Sequence, residues 1–319
     1  MKHPDPGPSE SERPAVATPA AVCAVVVTYH PDIGALRAAL AAVRPQVGAL
    51  VVVDNASPGI DAAVHGTGAV LLGQPENVGL ARAQNIGIDW ARRHGCSHVL
   101  ILDQDSVPGP AMVEALLTGW RRLSASARVG AVGPRFRDAR ERRDAPFVRV
   151  AFPVSHKLWC DASTADVRCD FLISSGALIP LAVLDDIGGM DDGLFIDNVD
   201  MEWCFRARSR GYELFGVCAA TMEHSLGDER RPVLGGLHQV VTHKPVRLYF
   251  IMRNRVALYL RPHTPRVWIA QDLPRVLAKF VIFSVLVGPR GDNVRFMLRG
   301  LVDGVRGRSG PCPPVGARR

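Results

Sequence analysis

Four aliphatic residues in a row, Val99-Leu100-Ile101-Leu102, stop abruptly at Asp103-Gln104-Asp105-Ser106. An unbroken apolar run without alternation reads as a strand covered on both faces, the usual state of a central strand in a parallel sheet. That feature confines the chain to an α/β class. Two acids spaced by two at the strand's end fall where open α/β sheets bind ligands, and hard oxygen ligands of this kind suit Mg²⁺ or Mn²⁺ shared with substrate phosphates. The same residues also read as a polar strand-to-helix turn, with Asp105 or Ser106 capping a helix near Pro108 to Pro110. The short motif leaves both readings open.

The pattern recurs upstream. Val22 to Thr28 is a second continuous apolar run and ends at Tyr29-His30-Pro31, after which Asp32 caps a helix with apolar Leu36, Leu40 and Val43. Leu50 to Val53 is a third run and ends at Asp54-Asn55, with the turn residues Ser57-Pro58-Gly59 behind it. Val70-Leu71-Leu72 reads as a short strand, and Asn77-Val78-Gly79 opens a helix through Ala81, Ile86 and Trp90. Alternating strand and helix implies a parallel, right-handed doubly wound sheet. Thr28, Asp54 and the Asp103/Asp105 pair then share one sheet edge. A carboxylate at Asp54 suits the imide N–H of uracil or thymine, which adenine lacks, while a strand-end Asx turn with Asn55 explains it equally. No strand is followed by Gly-x-Gly-x-x-Gly, which argues against NAD or FAD.

Between Arg135 and Arg168 the chain is charged and irregular, reading as an inserted loop or hairpin over the site with solvated arginines. Phe171 to Pro180 reads as a strand with a small-residue break at Ser174-Ser175-Gly176, where a sugar could approach the backbone or a bulge could sit. A second constellation follows: Asp197-Asn198-Val199-Asp200-Met201-Glu202-Trp203. Asn198 is a plausible N-cap, and acids in the first turn are favoured by the helix dipole. Three acids at one helix start exceed what capping requires, so at least one is expected to do chemistry. Glu213 to Ala219 reads as another strand, and His224 near its end is either a satisfied structural histidine or a metal ligand beside Asp105. Residues 226–245 suit a loop that orders over substrate. Tyr249 begins a helix in which Arg253 and Arg255 either neutralise a diphosphate or sit at the surface. Val276 to Val287 is nearly all apolar yet too short to span a bilayer, so it reads as an interfacial or contact helix, or a plain buried one.

With 319 residues and 47% hydrophobic content the chain has ample material for one large core, and its formal charge of +7 suits phosphorylated substrates or an anionic surface. The cations are nearly all arginine, the lysines being Lys2, Lys157, Lys244 and Lys279. Seven cysteines with no Cys-x-x-Cys pair predict a reduced, cytosolic setting rather than a disulfide framework. Neither a signal peptide nor a membrane span is expected.

With these residues in place, VVVTYHP, VVVDNAS, ENVGLARAQNIGI, ILDQDS, SSGALIP, FIDNVDMEWCFRARSRGY, HSLG and YFIMRNRVALY, eight short motifs in order from Val22 to Leu260, give a chain that resembles the inverting glycosyltransferases of family 2, most of all bacterial rhamnosyltransferases. The resemblance implies a GT-A fold: a Rossmann-like, mostly parallel sheet flanked by helices, with a helical C-terminal extension. It implies that Thr28 and Asp54 hold the nucleotide base with Asn77 and Arg82 nearby, and that Asp103 and Asp105 form the metal-diphosphate motif. It further implies that Asp105 and His224 hold Mg²⁺ or Mn²⁺, and that Asp200 is the general base. Asp197, Glu202, Trp203 and Arg253 are expected around the acceptor. Many relatives carry the base in a Glu-Asp pair, whereas Val199 precedes Asp200 here, which keeps Asp197 as the alternative. The expected partition is a disordered tail over 1–20, a catalytic domain over 21–245, a helical extension over 246–306 and a second tail over 307–319. Within the catalytic domain the nucleotide part covers 21–135 and the acceptor part 168–245. The expected partners are a nucleotide-diphosphate sugar, dTDP-L-rhamnose before a UDP-sugar, and a glycan or lipid-linked acceptor, with no nucleic acid. Residues 266–300 are a candidate peripheral membrane contact, a homo-oligomer is left open, and the expected setting is cytoplasmic at the inner face of the cell membrane. The rivals are a catalytically inactive scaffold of the same fold and a sugar-phosphate nucleotidyltransferase. The latter would need a Gly-rich, Arg-containing loop where this chain has Tyr29-His30-Pro31.

Overall fold

A computed structural model describes residues 18–138, 143–161, 163–224, 230–233 and 238–314. The alternation read from the sequence is realised as β1 (Val22–Thr28), α1 (Ile33–Val43), β2 (Ala49–Asp54), α2 (Ile60–Val64), β3 (Val70–Gly73), α3 (Leu80–Arg93) and β4 (His98–Asp103). Then come β5 (Ser106–Pro108), α4 (Met112–Ser124), β6 (Val129–Asp138), β7 (Arg143–Asp144), β8 (Phe147–Arg149), β9 (His156–Leu158), β10 (Asp166–Cys169), β11 (Leu178–Pro180) and α5 (Leu181–Ile187). The remainder is α6 (Val199–Ser209), β12 (Glu213–His224), β13 (Arg230–Val233), β14 (His238–Val241), α7 (Pro245–Tyr259), α8 (Arg266–Val285) and α9 (Arg290–Val305).

The main sheet runs β10-β12-β6-β11-β4-β1-β2-β3, with β5 on β12 and β7 on β6. Strands β3, β2, β1 and β4 are parallel, the two-layered α/β half that the continuous apolar runs dictate. The sheet is mixed beyond them, which the alternation alone does not reveal: β11 lies antiparallel to both β4 and β6, while β6 and β12 are parallel. Along β1 the side chains alternate between two cores. Cys23, Val25 and Val27 pack with Val51, Val53 and Ile101 against α3 and α6, and Val22, Ala24 and Val26 pack with Leu50 and Leu100 against α1 and α4. Asp32 caps α1 by accepting a hydrogen bond from the Ala35 amide at 2.8 Å, as its position predicts. Gly87 lets α3 approach β1, since a Cβ there would lie 2.2 Å from Val25 Cγ1.

Other expectations need correction. Of the strand expected over Phe171 to Pro180, only Leu178–Pro180 forms, because Gly176 adopts φ +85 and turns the chain. A Cβ on Gly176 would stand 2.6 Å from Pro134 Cγ, so both the turn and the close packing require glycine. The reduced-cysteine expectation is overturned at one pair: Cys160 and Cys218 form a disulfide that ties the segment after β9 to β12, their Cα atoms 5.5 Å apart. The insertion read over 135–168 is made of the β6–β7 and β8–β9 pairings. Part of the loop expected over 226–245 lies outside the described residues, and the rest contains the β13–β14 hairpin. At the C-terminus the Gly310 amide donates to the Gly193 carbonyl at 2.9 Å, so the chain beyond α9 returns to the catalytic domain. Helices α7, α8 and α9 share a small core of Leu248, Met252, Phe283 and Met297.

Candidate active site

A cavity of about 630 Å³ opens at the C-terminal edge of the parallel strands. Asp103, Gln104 and Asp105 from the end of β4 line it, as do Asn77, Ser174, Ser175, Asp197 and Asp200. The two acidic constellations, almost a hundred residues apart in sequence, therefore share one cleft.

The β4 turn is held from both sides. The Asp103 amide donates to Ser175 Oγ at 3.1 Å, Ser175 Oγ donates to Ser106 Oγ at 2.7 Å, and the Tyr29 amide donates to Gln104 Oε1 at 2.8 Å. Thus the small residues after Phe171 serve to pin the aspartate turn. Thr28 and Asp54 do not line the cavity: Thr28 Oγ1 and the Ser57 amide donate to the two Asp54 oxygens, each at 2.6 Å, and both residues are buried. Asp54 thus holds the turn after β2 through Ser57, and the neighbouring Asn55 lines the cavity. Asn77 lines the cavity and accepts from the Gly79 amide at 2.9 Å, opening α3. Arg82 is exposed and pairs with Asp192 at 3.1 Å outside the cavity.

The loop that carries the second set of acids is backbone-strained. Phe195, Asp197 and Asn198 have φ of 65, 63 and 62, a left-handed region that non-glycine residues occupy at a cost of about 1–3 kcal/mol each. Asn198 occupies the N-cap position of α6, its carbonyl accepting from the Glu202 amide at 3.0 Å, but it makes no side-chain capping bond. Two buried side chains of α7 hold this loop. Arg253 donates to the Gly193 and Leu194 carbonyls at 3.0 and 2.7 Å and to that of Gly310, and Asn254 Nδ2 donates to Leu194, Ile196 and Asp197 carbonyls at 2.6–2.9 Å. Arg253 therefore supports the loop and does not line the cavity.

Asp200, in the first turn of α6, faces the cavity and accepts from the Met201 amide at 2.8 Å. Burial pushes its pKa above the ordinary aspartate value, backbone hydrogen bonds from Met201 and Ser174 oppose that rise, and the charge of Asp197 adds to it. A raised pKa favours proton acceptance by Asp200. Asp197 is instead engaged by Arg247 at 3.0 Å.

Glu202 and Trp203 point away from the cavity. Trp203 is buried and donates to the Gly188 carbonyl at 3.2 Å. Glu202 is fully buried among Arg206 at 2.9 Å, Arg261 at 2.8 Å and His263 at 3.0 Å. Burial resists its ionisation, yet hydrogen bonds from His263 and Arg206 and the charges of Arg206 and Arg261 outweigh it, lowering the pKa from 4.5 to about 2. A depressed carboxylate stabilises the fold above its unfolded value, and that contribution is lost as pH falls from 4.5 toward 2. Glu202→Gln is expected to cost about 1.5–3 kcal/mol at neutral pH with donor affinity unchanged, and to flatten stability across that acid window. Denaturant titrations at pH 7 and pH 3 check both statements.

For a divalent ion the aspartate turn offers two carboxylates, Asp103 and Asp105, which fit Mg²⁺ or Mn²⁺ better than a soft metal. Among the described residues no three His, Cys, Asp or Glu side chains form a metal-binding group. The His224 backbone pairs with Ser106, next to the aspartate turn, and its side chain lies outside those described. Residues missed in the sequence are Tyr29, Asn55, Gln104, His243 and Arg247, all of which line the cavity. The first three carry a legible signal, since each directly follows a strand end; His243 and Arg247 reach the cavity only through the packing of α7.

A mostly parallel sheet with an Asp-x-Asp turn at its edge, facing a partly buried acid across one cavity, is the GT-A architecture of glycosyltransferases. Solved structures share this fold. GalNAc-T7 with UDP, GalNAc and Mn²⁺ superposes with a TM-score of 0.57 at 14% identity, over 92% of this chain and 56% of its own length. S. aureus TarS 1-349 superposes with a TM-score of 0.54 at 16% identity, over 89% of this chain and 80% of that one. Residues 23–174 match the family described as glycosyl transferase family 2. It is 27% identical to the dTDP-rhamnosyl transferase RfbF of Shigella flexneri over 297 residues, 91% of this chain and 97% of the relative. It is 29% identical to the galactofuranosyltransferase GlfT1 of Mycolicibacterium smegmatis over 273 residues, 78% of this chain and 87% of the relative.

Proposed function

We propose that the chain transfers L-rhamnose from dTDP-L-rhamnose to a hydroxyl of a cell-surface glycan or lipid-linked acceptor, with inversion at the anomeric carbon. The observation that carries this reading is the convergence of Asp103, Asp105 and Asp200 on one cavity. The near full-length similarity to a dTDP-rhamnosyl transferase supports the choice of donor. Asp200 takes the acceptor proton as that oxygen forms its bond to the anomeric carbon from the face opposite the diphosphate. The bond from that carbon to the diphosphate breaks in the same displacement, and dTDP leaves. The α7 residues Arg253 and Asn254 keep Asp200 aimed at the acceptor by fixing the loop before it. Asp103 and Asp105 would hold Mg²⁺ or Mn²⁺, with His224 the candidate third ligand. The ion, when bound, supplies positive charge against the diphosphate leaving group.

A UDP-sugar donor is the second reading, favoured by the similarity to a galactofuranosyltransferase. A thermal-shift panel of dTDP-rhamnose and UDP-hexoses, with and without Mn²⁺, separates the two. A nucleotide sugar at a hundred times its dissociation constant adds about 2.7 kcal/mol. Stabilisation by dTDP-rhamnose that Mn²⁺ enhances and EDTA removes is the expected result; a protein indifferent to every nucleotide sugar overturns the proposal. The proposed setting is the cytoplasmic side of the cell membrane. Among the described residues no helix is long and apolar enough to cross a membrane.

A further inference from the structure

Helix α8 is built inside out. Two of its charged side chains turn toward the protein: Asp272, 3% exposed, accepts from Arg255 Nε at 2.8 Å and Tyr259 Oη at 2.6 Å, and Lys279 Nζ lies 3.2 Å from His243 Nε2. Its outward face is apolar. Leu273, Pro274, Leu277, Ala278, Val281 and Val285 are all exposed, with Leu277 66% and Val285 56% accessible. At about 100° per residue these positions fall on one side of the helix, and none of them is charged. A soluble surface helix has the reverse pattern, so this face is made to be covered. On α9, Val302 and Val305 are also exposed, 46% and 73% accessible.

Charge decides what covers it. Arg266, Arg275, Arg290, Arg295 and Arg306 are exposed along α8 and α9, against a single exposed acid in these helices, Asp292. A second copy docked on this face would bring two arginine-lined rims together, whereas anionic lipid headgroups neutralise them and acyl chains accept the apolar side. His243, which Lys279 contacts, lines the cavity, so the inward side of α8 packs against that cavity's wall while the apolar side faces outward.

We propose that α8, together with the exposed side of α9, lies in the interface of an anionic lipid bilayer and holds the cavity beside acceptors anchored in that bilayer. At about 1.5 Å per residue the stripe from Leu273 to Val285 presents roughly 20 Å of apolar edge, enough for interfacial binding without crossing. The proposal deepens the functional reading by choosing a membrane-borne acceptor, but it does not depend on the donor.

The test is flotation of the full chain with phosphatidylcholine vesicles and with vesicles containing about 30% phosphatidylglycerol. Recovery with the anionic vesicles is expected to be at least roughly ten-fold higher and to fall as salt is raised. Leu277→Glu with Val281→Glu is expected to abolish recovery while the melting temperature and donor-induced stabilisation persist; Arg275→Glu with Arg295→Glu, which leaves the apolar face intact, is expected to weaken it. Wild-type protein that stays unbound with anionic vesicles overturns the proposal. So does a stable dimer in light scattering that the Leu277→Glu, Val281→Glu pair splits, since that assigns the face to a second copy. Donor-induced stabilisation measured on the same samples reports on the glycosyltransferase reading separately.

Discussion

Asp200→Asn is expected to bind the sugar donor as the wild type does and to lose turnover by about 10²–10⁴-fold, the range for removal of a positioned general base. Asparagine keeps the shape and can still accept from the Met201 amide, so the start of α6 stays in place and only proton acceptance is lost. Because burial raises the Asp200 pKa, the acid limb of wild-type turnover should lie above the ordinary aspartate value of 3.8. Below that limb the carboxyl is protonated and cannot act. Asp197→Asn offers the contrast, since it removes a charge that pairs with Arg247 and leaves the Asp200 carboxylate in place. Donor affinity by calorimetry and transfer rate across pH decide the matter. Full turnover by the Asp200 variant would falsify its role as base.

Arg253→Met is expected to destabilise the chain by about 3–5 kcal/mol, because a buried guanidinium serving three carbonyls is removed and those acceptors lose a charged donor. Methionine roughly conserves the length of the side chain, so packing changes are secondary. Turnover should fall as well, since the left-handed backbone at Phe195, Asp197 and Asn198 persists only while its surroundings hold it. Arg253→Lys keeps the charge but not the fork, and should recover part of the stability and little of the rate. Chemical denaturation alongside kcat and donor Kd distinguishes this support from a donor contact: a large rise in donor Kd with stability unchanged would place Arg253 on the substrate instead.

Much of the parallel half was legible because its signals are local. The apolar runs of β1, β2 and β4 need no distant partner to be recognised, and Asp32 caps α1 with an amide three residues away. The aspartate turn was legible for the same reason. Side chains whose role depends on distant packing were not. Glu202, Trp203 and Arg253 sit in or near the right motif, yet each faces inward, and only the positions of Arg261, Gly188 and Leu194 reveal it. Asp54 accepts from Thr28 and Ser57, and the Thr28 bond depends on β1 lying beside β2. Cys160 and Cys218 are separated by 58 positions and follow no spacing rule, so their pairing emerges only when β12 comes alongside the inserted segment.

Strand β12 has a consequence for how the enzyme is assembled. Its twelve residues pair with β10, β6 and β5, and so join segments that lie far apart in the chain. The units from β1 to β4 close over short loops, whereas β12 must return across about a hundred residues to reach β5 beside the aspartate turn. During synthesis the half with the aspartates can therefore mature first, and the seam sealed by β12 comes last. Pulse-labelled hydrogen exchange should find amides of β1 and β2 protected before those of β5 and β12, and simultaneous protection would contradict that order.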